Sequence, residues 1–148
     1  MYTHETQIRV RYGEVDMMGY LYYGYYSFYY EQARVETMRS LGISYKKMEE
    51  LGFMLPVRDL NIHFIKPAYY DDVVRIKTMI TKMPMVRHDF SYEMYNQNDE
   101  LINKAVTTLV YIDKVSRKPV SCPAFVQELL KPYLDRWCEK TFWECKEV

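Results

Sequence analysis

The amino-acid sequence predicts one α+β domain, with an antiparallel β-sheet wrapped around a single long helix. The chain has 148 residues, of which 49% are hydrophobic, and this suffices for one core of ordinary size. The hydrophobic periods run in the order strand, long helix, short helix and then four strands. The last three strands are joined by connections too short for crossover helices, so they should pair antiparallel. A helix this apolar requires a covering sheet, because its tyrosines would otherwise stay exposed to water.

The first strand and the long helix are predicted in the N-terminal third of the chain. Over residues 7–12, Ile8, Val10 and Tyr12 alternate with polar residues, as in a half-exposed strand. The long helix is predicted from about residue 23 to residue 41. Its buried stripe recurs at spacings of three and four residues and consists of Tyr26, Tyr30, Ala33, Thr37 and Leu41.

The elements after the long helix are predicted from caps and from alternation. Gly42 is placed to end that helix, and Ser44 to cap a second helix over residues 45–51. Alternating side chains then predict strands over residues 60–65, 74–81, 88–95 and 101–112. A C-terminal helical region should open at Pro123 and break near Pro132. Because there is no linker or repeat, we predict a single domain over residues 1–148 with a helical extension over about residues 124–148.

Charge and cysteine content exclude several classes of function. Lys plus Arg and Asp plus Glu both number 20, so the chain lacks the basic excess typical of nucleic-acid binding. No apolar run approaches the roughly 20 residues of a spanning helix, and the first residues lack the pattern of a signal peptide. An odd number of cysteines without paired spacing indicates reduced thiols, at Cys122, Cys138 and Cys145. We therefore expect a cytoplasmic protein with no metal site, no nucleic-acid partner and no membrane contact.

The stretch from residue 11 to residue 26 could carry chemistry, because it places an acidic loop ahead of the long helix. A helix N-terminus presents free backbone N–H groups and a partial positive charge, which can hold a developing oxyanion. Asp16 lies seven residues before the first helical turn and could fold back over it if Gly19 permits a tight turn. That pair suits acyl transfer, in which Asp16 attacks a polarised carbonyl or activates water. The alternative is that Asp16 merely caps a turn or offsets the helix dipole.

Further candidates lie near this stretch and at the strand ends. Glu14 is a weaker candidate than Asp16. Glu31 is either a second carboxylate of the same site or a partly buried acid bonded to tyrosine hydroxyls. The tyrosines nearest a pocket would be Tyr22, Tyr23 and Tyr26. Several cations at strand ends or turns could meet the phosphates of a nucleotide-bearing ligand, or could form a solvated rim: Lys66, Arg87, Lys114, Arg117 and Lys118. No nucleophilic serine elbow or phosphate-binding glycine loop occurs.

Residues 6–135 resemble the hotdog-fold thioesterases of the 4-hydroxybenzoyl-CoA thioesterase and YbgC-like acyl-CoA thioesterase group. Asp16-Met17-Met18-Gly19 matches the Asp-x-x-Gly motif of that group, and Tyr26 matches the tyrosine that follows it. Glu31-Gln32-Ala33-Arg34 is similar to the acidic-x-Ala-Arg segment of the central helix. Residues 67–72 and 117–123 resemble the turn before the third strand and the closing Arg-Pro…Pro segment.

The resemblance implies an acyl-CoA thioesterase in which Asp16 is the nucleophile or general base. The backbone N–H of Tyr23, assisted by that of Gly24, would be the oxyanion donor, and Tyr22, Tyr26, Glu31, Lys66 and Arg87 would contact the substrate. No metal or organic cofactor is implied, and coenzyme A enters as part of the substrate. The resemblance also implies a homodimer joined through its sheet edges, with the active site between subunits, or a homotetramer.

Departures from the family pattern leave the substrate open. Many YbgC-like members carry histidine where Tyr23 stands, but a backbone donor does not depend on the side chain. Met17 and Met18 replace small residues and could reshape the acyl pocket. The alternative functions are an acyl-carrier-protein thioesterase and a non-catalytic acyl-CoA binding protein. Binding of single-stranded nucleic acid through the tyrosines is disfavoured, because no basic groove is evident.

Overall fold

A five-stranded antiparallel sheet forms the body of the protein. The computed structural model describes residues 1–134. Its strands are β1 (Tyr2–Arg9), β3 (Val57–Phe64), β4 (Val73–Ile80), β5 (Arg87–Tyr95) and β6 (Leu101–Val110). Their order in the sheet is β1-β4-β5-β6-β3, and each neighbouring pair is antiparallel. A separate two-stranded ribbon pairs β2 (Phe53–Met54) with β7 (Ile112–Asp113), and the helices are α1 (Tyr25–Ser40), α2 (Tyr45–Glu50) and α3 (Ala124–Leu134). The predicted α+β arrangement is confirmed.

The core lies between the long helix α1 and one face of the sheet. Every second residue of β4 and β5 is buried, as alternation predicted. The predicted stripe of α1 is buried along its whole length, with Tyr30 and Ala33 fully inaccessible to water. The helix ends where the sequence predicts, because Gly42 adopts a left-handed conformation (φ +86°). The Gly42 and Ile43 N–H groups then bond back to the carbonyls of Arg39 and Met38, a Schellman motif.

The first strand was predicted too late in the chain. It covers Tyr2–Arg9 rather than residues 7–12, because the polar residues at its start pair with β4 over the whole strand, from Tyr2 opposite Ile80 to Arg9 opposite Val73. Tyr12 lies instead in a 3₁₀ turn (Tyr12–Glu14) and is 79% exposed, so its predicted place beside Ile8 and Val10 is wrong.

Two predictions for the C-terminal half also need correction. The strand predicted over residues 101–112 divides at Tyr111, whose N–H bonds to the Val86 carbonyl, and the chain then enters the small ribbon. α3 continues through Pro132 instead of breaking there, since Leu130 and Leu134 are buried on either side of it and hold the helix against the core. Cys138, Cys145 and the predicted helical extension beyond residue 134 lie outside the described residues.

Strand β3 forms one edge of the sheet. It pairs with β6 on one side, and within residues 1–134 no strand pairs with its other side. Leu60 and Phe64 of this strand are 43% and 50% exposed, so the edge carries apolar side chains as well as unpaired backbone groups. No helix of the described part of the chain is long and apolar enough to cross a membrane.

Candidate active site

The loop between β1 and α1 is a short, closed ribbon with Asp16 near its tip. Val15 pairs with Leu21 in an antiparallel bridge, and the Asp16 N–H donates to the Tyr20 carbonyl at 2.9 Å. Gly19 closes the turn, donating its N–H to the Asp16 carbonyl at 3.0 Å with φ at +84°. Only glycine adopts this left-handed conformation at no steric cost. The tight turn that the sequence required of Gly19 is therefore present.

The Asp16 carboxylate is half-buried and keeps unused hydrogen-bonding capacity. Its Oδ1 accepts from the Met18 N–H at 2.9 Å, and this is its one side-chain hydrogen bond within residues 1–134. The pKa of the Tyr22 hydroxyl is raised, chiefly by its hydrogen bond to Tyr23 and also by the negative charge of Asp16. The Asp16 carboxylate is therefore near enough to the Tyr22 hydroxyl for its charge to act on that group.

The start of α1 presents two free backbone donors. The Tyr22 N–H bonds to the Glu14 carbonyl at 2.9 Å, while the Tyr25 and Tyr26 N–H groups bond back within the first turn. Within the described residues, the N–H groups of Tyr23 and Gly24 donate to no acceptor. They lie at the positive end of the dipole of a 16-residue helix. An oxyanion brought to this point would find both hydrogen-bond donors and a favourable potential.

A cavity of about 250 Å³ connects the acid with the helix start. Four of the residues predicted for the site line it: Asp16, Tyr23, Tyr26 and Lys66. Met18, which the sequence suggested could reshape the acyl pocket, also lines the cavity, whereas Met17 does not. The remaining lining residues were not predicted from the sequence: Tyr20, Leu21, Phe64, Ile65 and Pro67. The wall is mainly aromatic and aliphatic, and the Tyr26 ring meets the Phe64 ring edge to face at 5.0 Å. Among the lining residues that the structure describes, Asp16 carries a negative charge and Lys66 a positive one.

Tyr22 and Gly24 support the cavity from outside its wall. The Tyr22 ring packs over Gly24 so closely that a Cβ at position 24 would lie 2.7 Å from the Tyr22 Cε1. Glycine at this position therefore allows the close approach of the ring, and any other residue would force the Tyr22 side chain to move, although the backbone of residue 24 is helical. The Tyr22 ring also packs against the rings of Tyr23 and Tyr25.

Glu31 and Arg87 do not reach the cavity within one protomer. Glu31 is exposed on α1. Arg87 is opposite Val110 of β6, whereas Phe64 of the cavity wall is opposite Asn103. Seven residues of extended strand separate those two partners, or about 23 Å at 3.3 Å per residue. The substrate contacts that the sequence suggested for Glu31 and Arg87 stay predictions.

Lys66 lies at the cavity wall already paired with an acid. Its Nζ binds the Glu100 carboxylate, and this bond lowers the pKa of Glu100. Both side chains are about half-exposed, so water and dissolved anions can compete for the ammonium group. The pair can therefore open at small cost when a stronger anion arrives.

Glu14, which the sequence made a weaker candidate than Asp16, is buried beneath the loop and hydrogen-bonded to α1. It is 5% exposed, and its Oε1 accepts from the Tyr29 hydroxyl at 2.7 Å and from the Arg11 N–H at 2.9 Å. Burial alone would raise the pKa of Glu14, but the hydrogen bonds from Tyr29 and Arg11 hold it below its usual value. The spacing of Arg11 and Glu14, three residues apart before a turn, was the one available signal of this role.

Taken together, this geometry suits acyl transfer. Asp16 and Tyr23 border one small, mostly apolar cavity, and the free N–H groups of Tyr23 and the adjacent Gly24 lie at its helix end, so a carbonyl carbon could lie between the acid and these donors. Within residues 1–134, no group of three or more His, Cys, Asp or Glu side chains is placed to hold a metal ion.

Comparison with known proteins finds thioesterases among the relatives of this chain. The model of the thioesterase-like superfamily matches residues 10–130. The chain is 34% identical over 120 residues to a putative acyl-CoA thioesterase YneP of Bacillus subtilis, which covers 81% of this chain and 87% of that protein. It is 30% identical over 116 residues to the acyl-CoA thioester hydrolase YbgC of Escherichia coli, covering 78% and 87% of the two chains.

A solved structure shows the same arrangement of strands and helix. The DHNA-CoA thioesterase of Staphylococcus aureus superposes with a TM-score of 0.79 and 34% sequence identity. The match covers 94% of this chain and 88% of the other.

Proposed function

The chain belongs to the thioesterase-like superfamily, has the hotdog fold and is a thioester hydrolase, and from this premise we propose that it hydrolyses acyl-CoA at the Asp16 cavity. The products would be a free acid and coenzyme A. One observation carries the proposal: Asp16 and Tyr23 line the same cavity, at the N-terminus of α1, where the N–H groups of Tyr23 and Gly24 are free within the described residues. The names of the relatives in Bacillus subtilis and Escherichia coli support coenzyme A as the thiol.

In the proposed reaction, the thioester carbonyl oxygen accepts hydrogen bonds from the Tyr23 and Gly24 N–H groups. With Asp16 as general base, water adds to the carbonyl carbon and gives a proton to the carboxylate. Collapse of the tetrahedral intermediate breaks the C–S bond, and the departing sulfur takes up the proton. With Asp16 as nucleophile, its oxygen displaces the thiolate, and water then hydrolyses the mixed anhydride. Both routes need the same carboxylate and the same donors, and neither uses a metal or an organic cofactor.

The cavity suits a small acyl group. Its volume of about 250 Å³ exceeds the roughly 150 Å³ that accommodates a benzene ring in an apolar protein cavity. The edge-to-face pair of Tyr26 and Phe64 offers an aromatic wall for such a group. We propose that Lys66 at the rim exchanges Glu100 for a phosphate of coenzyme A.

We further propose a homodimer or homotetramer, formed by pairing the free edge of β3 with that of a second copy. The exposed apolar side chains of Leu60 and Phe64, together with the unpaired backbone, support this edge as the interface. Phe64 lies both on this edge and on the cavity wall, so the second copy would border the active site. Light scattering coupled to gel filtration should then give two or four times the chain mass of 18.0 kDa, and the mass of one chain would refute the proposed assembly. The cytoplasmic location expected from the sequence stays a prediction.

The proposed function is tested with the Asp16→Asn variant. This substitution keeps the shape of the side chain and its bond from the Met18 N–H, but it removes the charge that attacks or activates water. We expect kcat to fall by about 100-fold or more, the usual contribution of a general base. The assay measures thiol release from acetyl-, hexanoyl-, benzoyl- and palmitoyl-CoA.

The control is Asp99→Asn, the same chemical change at an exposed turn, where asparagine also tolerates the left-handed backbone (φ +57°). Wild-type rates for purified Asp16→Asn would overturn the proposal. Hydrolysis of acyl groups on an acyl carrier protein, but not on coenzyme A, would reassign the substrate. Tight binding of acyl-CoA by the wild type without turnover would show a binding protein instead.

A further inference from the structure

The Glu14 side chain and main chain connect the two halves of the proposed reaction centre. The residue lies two positions before Asp16. Its carbonyl accepts from the Tyr22 N–H at 2.9 Å, one residue before the free donor of Tyr23. Its carboxylate accepts from the Tyr29 hydroxyl, which belongs to the second turn of α1. The acid loop and the helix that carries the donors are therefore linked twice through one residue.

The link between Glu14 and Tyr29 is buried and short. Glu14 is 5% and Tyr29 3% exposed, and their oxygens are 2.7 Å apart. A hydrogen bond to an ionised, buried acceptor is stronger and more directional than one at the surface. Arg11 binds both oxygens of the same carboxylate: its backbone N–H donates to Oε1, which also accepts from Tyr29, at 2.9 Å, and its guanidinium donates to Oε2 at 3.2 Å. The carboxylate is thus fixed at both ends and has little freedom to move.

Neither Glu14 nor Tyr29 is among the residues that line the cavity, and both side chains are buried and bonded to each other, so we assign neither a direct role in binding or bond breaking. Their effect has to pass through the distance between the Asp16 carboxylate and the start of α1. That distance governs the rate steeply, because a misplacement of about 1 Å can cost about 100-fold.

We propose that Glu14 and Tyr29 are positioning residues that hold Asp16 at its working distance from the Tyr23 and Gly24 N–H groups. This inference rests on the proposed function. Loss of the bond lets the loop and the start of the helix shift relative to each other, while the opposite wall of the cavity, from Phe64 to Pro67, stays in place. The rate of the chemical step then falls, and the affinity for substrate does not.

The test combines Tyr29→Phe, Glu14→Ala, the double variant and Glu14→Gln in the acyl-CoA hydrolysis assay. Tyr29→Phe keeps the buried ring and removes only the hydroxyl. We expect its kcat to fall about tenfold with KM changed less than twofold. Glu14→Gln keeps an oxygen that accepts both hydrogen bonds, so its kcat should stay within about threefold of the wild type. In Glu14→Ala the Tyr29 hydroxyl has lost its acceptor, so adding Tyr29→Phe should lower kcat no further.

Several results would overturn the inference. One is a Tyr29→Phe variant whose kcat equals that of the wild type. Another is a Tyr29→Phe variant whose loss in kcat/KM comes from a raised KM. A third is a double variant whose loss in kcat equals the product of the losses in the two single variants. A Glu14→Gln variant as slow as Glu14→Ala would also overturn it, because the charge would then matter and not the hydrogen bonds. Circular dichroism confirms that each variant is folded, and if Glu14→Ala does not fold, Tyr29→Phe and Glu14→Gln decide the question.

Asp16→Asn separates this inference from the proposed function. An inactive Asp16→Asn beside a fully active Tyr29→Phe would refute only the positioning role. A fully active Asp16→Asn would refute the proposed chemistry itself.

Discussion

The buried side chain of His88 should make the stability of this protein depend strongly on pH. It is fully inaccessible to water, its ring stacks on Phe90 at 4.3 Å, and its Nδ1 lies 2.9 Å from the Tyr111 hydroxyl. Within the described residues its Nε2 has no hydrogen-bond partner. Burial, and secondarily the nearby positive charge of Arg34, lowers the pKa of His88 from 6.5 to about 3. The folded protein therefore keeps this ring neutral throughout the mildly acidic range.

The sign and size of the effect follow from proton linkage. Below pH 6.5 the unfolded chain binds a proton at this position, and the folded chain does not until pH falls to about 3. The neutral ring's contribution to stability is therefore complete above pH 6.5 and is lost as pH falls toward 3. At about 1.4 kcal/mol per pH unit, the free energy of unfolding should decrease by about 2 kcal/mol between pH 7.5 and pH 5.0 through this group alone.

His88→Gln removes the titration and keeps a group that can bond to Tyr111. Urea unfolding, followed by circular dichroism at fixed protein concentration, should show a pH difference about 2 kcal/mol smaller in this variant than in the wild type. His63→Gln, at an exposed position of edge strand β3, should retain the full wild-type difference. An undiminished pH difference in His88→Gln would refute the reasoning. If that variant does not fold, NMR titration of the wild type decides, because a His88 ring that protonates above pH 5 contradicts a buried neutral imidazole.

Three further predictions concern the cavity and its surroundings. Gly24→Ala should lower kcat/KM several-fold, because the new Cβ would lie 2.7 Å from the Tyr22 ring. Adding Tyr22→Ala removes that ring and should restore kcat/KM. A double variant as slow as Gly24→Ala would show that the clash with Tyr22 is not the cause. Lys66→Ala should raise KM more than it lowers kcat if Lys66 meets coenzyme A phosphates. Arg87→Ala should raise KM only if a second copy brings Arg87 to the cavity. An unchanged KM in both variants would show that neither side chain contacts the substrate. Dialysis against EDTA should leave the hydrolysis rate unchanged, and a loss that added Mg²⁺ or Zn²⁺ reverses would show that the reaction needs a metal.

Some features of the site could be predicted because they depend on residues close together in the chain. The turn of Asp16 and Gly19 closes over three residues, and the end of α1 depends on Gly42 and its two neighbours. The stripe of α1 follows from helical spacing alone. The roles assigned to Asp16, Tyr23 and Gly24 stay predictions, although the structure brings their groups to one place.

Other features depend on contacts between distant parts of the chain. The Phe64 wall reaches Tyr26 only because β3 pairs with β6 in one particular register. Arg87 is separated from the cavity by the same register, which alternation of side chains alone cannot specify. The polar residues that begin β1 have no strand pattern of their own and become a strand by pairing with β4.

The sequence by itself determined the α+β class, the order of most elements, the buried stripe of the central helix and the turn that carries Asp16. Only the tertiary structure decided which side chains enclose the cavity, that Glu14 is tied to Tyr29 and that His88 is sealed in the core. The physical reason is the range of the interactions. Turns, caps and helical stripes are set by hydrogen bonds and side-chain packing within a few residues, whereas the cavity wall and the buried polar pairs depend on how whole strands align.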